Sequence, residues 1–215
     1  MSSAVLLDFD GTITMRDSSE LVLRRFADER WLIYDDMMDR GEIGLEDCMK
    51  LQFALVHERP GSIIAYLENN VEARVGLSDF LRIVGKGGGD ICIVSAGLDF
   101  FIEHFMKRNF GEFELKKTTG RAVWNDGAIR FTFPSIENPG ALDFKQDAVL
   151  KARKRHDKVI YIGDGSSDYN AARASDHIYA VKGSRLAAMC SRESLSHSTF
   201  SGFSELEDDV RKYLL

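Results

Sequence analysis

Residues 4–12, AVLLDFDGT, decide the fold of this chain. Residues 4–9 are almost entirely apolar on both faces and too short for a helix, which indicates a central strand of a parallel sheet. Carboxylates and a glycine end this strand, and the same pattern returns at residues 163–168, GDGSSD, after a second apolar run. Carboxylates gathered at strand ends repel one another unless a cation or a substrate holds them. The two stretches therefore predict a metal-assisted active site at the edge of an α/β sheet.

Further apolar runs alternate with helical patterns along the rest of the chain. This alternation predicts a Rossmann-like, doubly wound parallel sheet. The serine-rich residues 191–204 are expected to form a loop. The other predicted strands are residues 90–95, 158–163 and 177–181, and the predicted helices between them are residues 98–110, 145–156 and 167–174.

The segment between the first two predicted strands is too long for an ordinary crossover. Residues 17–75 carry periodic apolar side chains and are expected to form an inserted helical cap. Residues 1–16 and 76–215 would then form the α/β core. Within the core, residues 118–133 contain Asn-Asp-Gly at 125–127 between two strand-like segments, a pattern typical of a small β-hairpin.

Composition narrows the class of protein. The 215 residues are 44% hydrophobic, carry a formal net charge of −6 and have no long basic block, which disfavours nucleic-acid binding. No apolar run approaches the ~20 residues that would span a bilayer. The three cysteines are scattered, and the first strand begins too early for a signal peptide. We expect a cytoplasmic protein without membrane partners, either a monomer or a homodimer.

The unusual polar residues fall together at the carboxyl ends of the predicted strands. Asp8 and Asp10 follow the first strand, Ser95 ends the second, and Asp164 and Asp168 follow a later one. Any one of them alone is more often a helix cap. Ligand sites of open parallel sheets form at this edge, so the whole set indicates one site.

In order and spacing these residues resemble the four motifs of the haloacid dehalogenase (HAD) superfamily. Residues 8–14, DFDGTIT, resemble the first motif, and Ser95-Ala96-Gly97 resembles the second. Lys145, at the start of a predicted helix, resembles the third, and residues 163–168 resemble the fourth. The resemblance implies a HAD-type core and phosphoryl transfer through a covalent aspartyl-phosphate.

The chemistry of each side chain agrees with that implied reaction. Asp8 is expected to attack phosphorus and form the acyl phosphate. Asp10 would protonate the leaving oxygen and later take a proton from the attacking water. Lys145 would neutralise the nucleophile and the phosphate, while the Ser95 hydroxyl and the two amides that follow it would bind phosphate oxygens.

The implied cofactor is Mg²⁺, a hard cation that prefers oxygen ligands. The Asp8 carboxylate, the Asp10 backbone carbonyl and the Asp164 carboxylate are the expected ligands. Asp168 would be a further ligand or would hold waters beside the ion.

An all-helical cap after the first motif resembles the phosphoserine phosphatase branch of this superfamily. In that branch Asp17 would bind the substrate ammonium and Lys50 its carboxylate. Lys50 stands where an arginine is expected, and lysine cannot form the bidentate fork to a carboxylate. Residues 95–101, SAGLDFF, also resemble the methionine-salvage phosphatase that acts on 2-hydroxy-3-keto-5-methylthiopentenyl-1-phosphate.

The sequence therefore predicts a Mg²⁺-dependent phosphomonoesterase for a small phosphorylated metabolite, with phosphoserine as the first substrate to test. The salvage phosphate and other small phosphomonoesters stay open as alternatives. So do phosphotransfer to a small alcohol and, in a different class, a non-catalytic sensor of phosphometabolites.

Overall fold

The computed structural model describes residues 2–125 and 127–214. Six of its strands are β1 (Ser3–Leu7), β2 (Asp90–Ser95), β3 (Lys116–Thr119), β6 (Lys158–Gly163), β7 (His177–Val181) and β8 (Ser198–Phe200), and the other two are β4 (Arg121–Asn125) and β5 (Ala128–Thr132). The six form one parallel sheet in the order β3-β2-β1-β6-β7-β8, flanked by helices, and β4 and β5 form an antiparallel pair. The predicted Rossmann-like α/β core is confirmed.

The central position of β1 follows from its composition. All five of its residues are buried, and it pairs with β2 on one side and with β6 on the other. The helices between strands bury one apolar stripe each, as with Leu77, Phe80, Leu81 and Val84 of α5. The helices are α1 (Ser18–Phe26), α2 (Trp31–Asp39), α3 (Leu45–Phe53), α4 (Pro60–Glu68), α5 (Leu77–Lys86), α6 (Asp99–Phe110), α7 (Phe144–Arg153), α8 (Tyr169–Ala174), α9 (Arg185–Arg192) and α10 (Glu207–Leu214).

Helices α1 to α4 form a helical insertion between β1 and α5. The hairpin of β4 and β5 packs against it, with the ring of Phe131 5.1 Å from that of Phe53. The Ile129 amide also donates to the Val56 carbonyl at 3.3 Å. Both strands of the predicted hairpin are therefore present, whereas Asp126 of its predicted turn lies outside the described residues.

Two segments differ from their sequence-based predictions. Residues 118 and 119, which were expected in the hairpin, belong to β3 and pair with β2. Residues 191–204 are not simply a loop, because β8 lies within them and pairs with β7. Its single buried side chain, Phe200, stands among serine and threonine, so no alternating pattern marks the strand. Among the described residues, no helix is long and apolar enough to cross a membrane.

Candidate active site

The backbone turns sharply where β1 ends. Residues 9–14 form a turn that is closed by the Thr14 amide, which donates to the Phe9 carbonyl at 3.0 Å, and within it Gly11 has a φ of 72°, a conformation that glycine adopts without strain. A Cβ atom on Gly11 would also lie 2.4 Å from Asp164 Oδ2. Glycine is thus required at this position, because it lets the first and fourth motifs approach each other.

Lys145 joins two carboxylates at the base of the site. Its Nζ donates to Asp8 Oδ1 and to Asp168 Oδ1, each at 2.7 Å, and all three side chains are buried. The lysine comes from the first turn of α7, which begins where the Asp143 carboxylate accepts a hydrogen bond from the Gln146 amide at 2.7 Å. The structure therefore brings the predicted nucleophile and the predicted lysine into direct contact.

Asp168 is held from four sides. Besides Lys145, its Oδ1 accepts from the Tyr161 hydroxyl at 2.8 Å. Its Oδ2 accepts from the Asp164 amide at 3.0 Å and from the Gly165 amide at 2.9 Å. Since these donors engage both oxygens, Asp168 is suited to fixing Lys145 and the loop after β6. Sequence analysis did not predict a role for Tyr161, because its position in the apolar run of residues 158–163 predicts only a buried strand residue.

The charges of these groups do not balance. Burial raises the pKa of Asp8, the Asp168 charge raises it further, and Lys145 opposes both. Burial and the Asp168 charge also raise the pKa of Asp164 to about 7. Burial alone would lower the pKa of Lys145, but its two carboxylate partners raise it, so the ammonium stays charged. One ammonium thus faces three carboxylates.

The same three carboxylates could hold a metal ion. One oxygen from each of Asp8, Asp164 and Asp168 lies within 4.8 Å of the others. Thr12 donates to Asp164 Oδ1 at 3.1 Å and so orients this carboxylate. Carboxylate oxygens are the donors that Mg²⁺ prefers, and a divalent cation would offset the excess negative charge. The residues present therefore fit such an ion.

Asp10 has an environment of its own. Its Oδ1 accepts from the Ser18 amide at 2.7 Å and from the Ser18 hydroxyl at 2.5 Å. Burial and then the nearby Asp17 carboxylate raise the pKa of Asp10 to about 8, against the two Ser18 hydrogen bonds. A carboxyl group with this pKa carries a proton near neutral pH and can donate it. Ser18 has no motif of its own and was not predicted.

The second motif lies beside Asp10. Ser95 ends β2, and its Oγ accepts from the Gly97 amide at 3.0 Å. A Cβ atom on Gly97 would lie 2.2 Å from Asp10 Oδ2, so only glycine leaves room for the carboxyl group. Ser95, Ala96 and Gly97 are therefore placed together with the carboxylates, as their position after β2 predicts.

A buried arginine fixes the loop after β1. The Arg74 guanidinium donates to the carbonyls of Gly11 at 2.5 Å, Thr12 at 2.8 Å and Ser201 at 3.0 Å. It holds in place the turn that carries Asp10. Sequence analysis missed Arg74 because a single arginine far from every motif gives no signal.

A cleft of about 340 Å³ lies between the helical insertion and the core, next to Asp164. Asp17 lines this cleft and caps α1 by accepting from the Glu20 amide at 2.8 Å. Lys50 is not among the lining residues that are described. Its Nζ lies 3.1 Å from Asp47 Oδ1 and 5.9 Å from the centre of the Phe133 ring. The structure thus places Asp17 in the lining of the cleft, whereas the contacts described for Lys50 are with Asp47 and Phe133.

Sequence comparison places the chain in a known family. Residues 5–173 match the model of the haloacid dehalogenase-like hydrolases. The chain belongs to this family, and it is a phosphatase, a phosphoric monoester hydrolase.

Three curated relatives align with nearly all of the chain. The bifunctional enzyme MtnB/MtnX of Bacillus licheniformis is 28% identical over 98% of the chain, which spans only 48% of that enzyme. Pdp3-interacting factor 1 of Schizosaccharomyces pombe is 28% identical, with 97% of the chain and 94% of the relative aligned. The 2-hydroxy-3-keto-5-methylthiopentenyl-1-phosphate phosphatase of an Exiguobacterium species is 25% identical, with 96% of each protein aligned.

Solved structures share the fold. A HAD family hydrolase from Salmonella enterica serovar Typhi superposes with a TM-score of 0.73 at 19% identity, over 95% of this chain and 69% of its own. A phospho-aspartyl intermediate analogue of phosphoserine phosphatase superposes with a TM-score of 0.72 at 16% identity, over 96% and 97%.

Proposed function

We propose that this phosphatase hydrolyses a small phosphorylated metabolite with Mg²⁺ through a phosphorylated Asp8. The observation that carries the proposal is the ion pair of Asp8 with the buried Lys145, which lies within the same strand-edge cluster as the proton-carrying Asp10. The Lys145 ammonium supplies positive charge at the place where the Asp8 carboxylate and the phosphate must meet. Without it the two anions would repel each other.

In the first half-reaction, an Asp8 oxygen attacks phosphorus and the bond from phosphorus to the ester oxygen breaks. The leaving oxygen takes the proton of Asp10 and departs as an alcohol or enol. Ser18 holds the Asp10 carboxyl group in position through two hydrogen bonds. The Ser95 hydroxyl would bind a phosphate oxygen.

In the second half-reaction, water attacks the phosphorus of the Asp8 acyl phosphate. Asp10 takes the proton of this water, the bond from phosphorus to Asp8 breaks, and inorganic phosphate leaves. Asp8 is then a carboxylate again and Asp10 is protonated, so the site is ready for another turnover.

The Asp8 and Asp164 carboxylates and the Asp10 carbonyl would hold Mg²⁺. When bound, the ion neutralises phosphate oxygens and lowers the repulsion that Asp8 meets. Asp168 would act as a positioning residue, because its oxygens are already engaged by protein donors. Residues 17–75 would act as a cap that closes over the cleft and excludes water.

For the substrate, we propose first the salvage phosphate, 2-hydroxy-3-keto-5-methylthiopentenyl-1-phosphate. The lining of the cleft includes the apolar side chains of Trp31, Leu45 and Met49, which suit a thioether end. Six of the curated relatives carry the name of the phosphatase for this compound. This ranking reverses the order expected from the motifs alone.

Phosphoserine is the second candidate. Asp17 lines the cleft and could bind the ammonium of an amino acid. Transfer to a small alcohol would share the first half-reaction. The sensor hypothesis is disfavoured, because Asp8 and Lys145 are present and in contact.

The test is phosphate release from a panel with Mg²⁺ and with EDTA. The panel contains the salvage phosphate, phosphoserine, ethyl phosphate and nitrophenyl phosphate. Asp8→Asn should lose turnover on all four, and acid-quenched wild-type protein should carry a phosphate that the variant lacks. Asp47→Asn, an exposed carboxylate of α3, serves as the control. Activity of Asp8→Asn within tenfold of wild type would contradict the proposal.

A further inference from the structure

Arg185 lies close to the loop after β6, which carries Asp164. It is the first residue of α9, whose start is fixed by the Ser184 hydroxyl, which accepts from the Ala187 amide at 3.2 Å. The next amide, that of Leu186, donates to the Asp164 carbonyl at 2.8 Å. The base of the Arg185 side chain is therefore tied to the loop that carries Asp164.

The charges that line the cleft are unequal. Four carboxylates, those of Asp17, Glu20, Asp35 and Asp164, face it. Among the described lining residues, Arg185 is the single cation. An acceptor oxygen on the leaving group would be repelled by the carboxylates, so the guanidinium is the charged group that can attract it.

The present partner of Arg185 can be exchanged. Its Nη1 lies 3.1 Å from Asp39 Oδ1 at the end of α2, and the two side chains are 64% and 45% exposed. Exposed ion pairs of this kind are weak. A guanidinium has five N–H donors, and the Asp39 contact uses one of its nitrogens. Arg185 can therefore bind an oxygen in the cleft at little expense in stability.

We propose that Arg185, rather than Lys50, determines specificity by binding an acceptor oxygen of the leaving group. This inference rests on the proposed function. The acceptor is a carboxylate, as in phosphoserine, or a ketone, as in the salvage phosphate. Arginine suits both, because its planar fork matches the two oxygens of a carboxylate, and one of its N–H groups is enough for a ketone oxygen. The contact of Arg185 with Asp39 also links α2 to the core.

The experiment compares Arg185→Gln with Arg192→Gln, a control on the same helix whose partner Glu193 is far from the motifs in sequence. Each is assayed on the salvage phosphate, phosphoserine and ethyl phosphate, which lacks the acceptor. In Arg185→Gln, kcat/KM for the substrate whose acceptor Arg185 binds should fall about tenfold or more relative to kcat/KM for ethyl phosphate. The fall should come from a higher KM. Arg192→Gln should keep the wild-type ratio.

The two substrates distinguish the two acceptors. A selective loss on phosphoserine alone assigns Arg185 to a carboxylate, and a selective loss on the salvage phosphate assigns it to a ketone. An equal loss on all three esters would overturn the proposal, because it would show a structural role. A selective loss in Lys50→Ala but not in Arg185→Gln would also overturn it.

A binding measurement keeps this inference separate from the proposed function. Calorimetric titration compares 3-phosphonopropionate, which has a carboxylate, and 3-oxobutylphosphonate, which has a ketone, with propylphosphonate, which has neither. Arg185→Gln should weaken binding of the ligand whose acceptor it binds about tenfold and should reduce the advantage of that ligand over propylphosphonate. If wild type hydrolyses no ester, the proposed function fails, yet this titration still decides whether Arg185 binds the acceptor. Equal affinities of wild type for all three ligands would overturn the inference.

Discussion

Removing the Tyr161 hydroxyl should impair catalysis, although this buried group acts only through Asp168 and Lys145. Tyr161 lies on β6, fully buried, and donates to Asp168 Oδ1 at 2.8 Å, the atom that also accepts from Lys145. The Tyr161→Phe change removes one oxygen and leaves the ring in place. A buried hydrogen bond to a charged group contributes about 1.5–3 kcal/mol.

For a domain of this size, that loss corresponds to a fall in Tm of about 3–12 °C. Asp168 would then be held by three donors instead of four, and Lys145 would be less firmly placed against Asp8. We expect kcat to fall about tenfold, with KM little changed. The assays are thermal unfolding and steady-state phosphate release.

Tyr179→Phe is the matched control. Tyr179 lies on the neighbouring strand β7 and donates to Asp209 Oδ2 at 2.6 Å, a carboxylate outside the site. It should lose comparable stability and keep its kcat. The reasoning is refuted if the two variants have kcat values within twofold of each other, because Tyr161 would then serve stability alone.

Three further predictions concern charge. Asp10→Asn should lower kcat/KM, which reports the first half-reaction, much more for alkyl phosphates than for nitrophenyl phosphate, whose leaving group needs no proton; equal losses in kcat/KM would exclude Asp10 as the acid. The pKa of Asp164 is raised to about 7, so folding holds a proton that the unfolded chain releases, and the metal-free protein loses stability as pH rises from about 4 to 7. Mg²⁺ should therefore raise Tm more at pH 8 than at about pH 5.5. Equal shifts in Tm at the two pH values would contradict this sign. Arg74→Met leaves three carbonyls without their donor, at a cost of about 1–3 kcal/mol each. Denaturant unfolding should therefore show a free energy of unfolding at least about 3 kcal/mol lower. A decrease below about 1 kcal/mol would show that the turn is stable without Arg74.

The parts of the site that sequence analysis predicted are those whose position along the chain determines their position in space. Asp8, Ser95 and Asp164 each follow an apolar strand, and parallel strands bring their carboxyl ends to one edge. Lys145 could be expected because it opens a helix between two such strands. The sheet was predictable for the same reason, since its central strands are buried on both faces.

The missed residues act through contacts that no local pattern encodes. Arg74 reaches backbone carbonyls of a distant loop, and any residue type supplies a carbonyl. Tyr161 has the same strand preference as its apolar neighbours, so the sequence does not indicate that its hydroxyl donates to Asp168. Arg185 depends on how α9 lies against the helical insertion. The edge strand β8 was missed because its residues do not alternate in polarity.

The place of β1 in the sheet has a consequence for how the chain folds during synthesis. Its residues pair with β2 near residue 90 and with β6 near residue 158. At about 5–20 residues per second, a ribosome needs roughly 8–30 s to make the second partner after the first strand has appeared. Throughout that interval a mostly apolar strand has at least one edge without its native neighbour. Translation speed and chaperones, more than final stability, would then set the yield of folded protein.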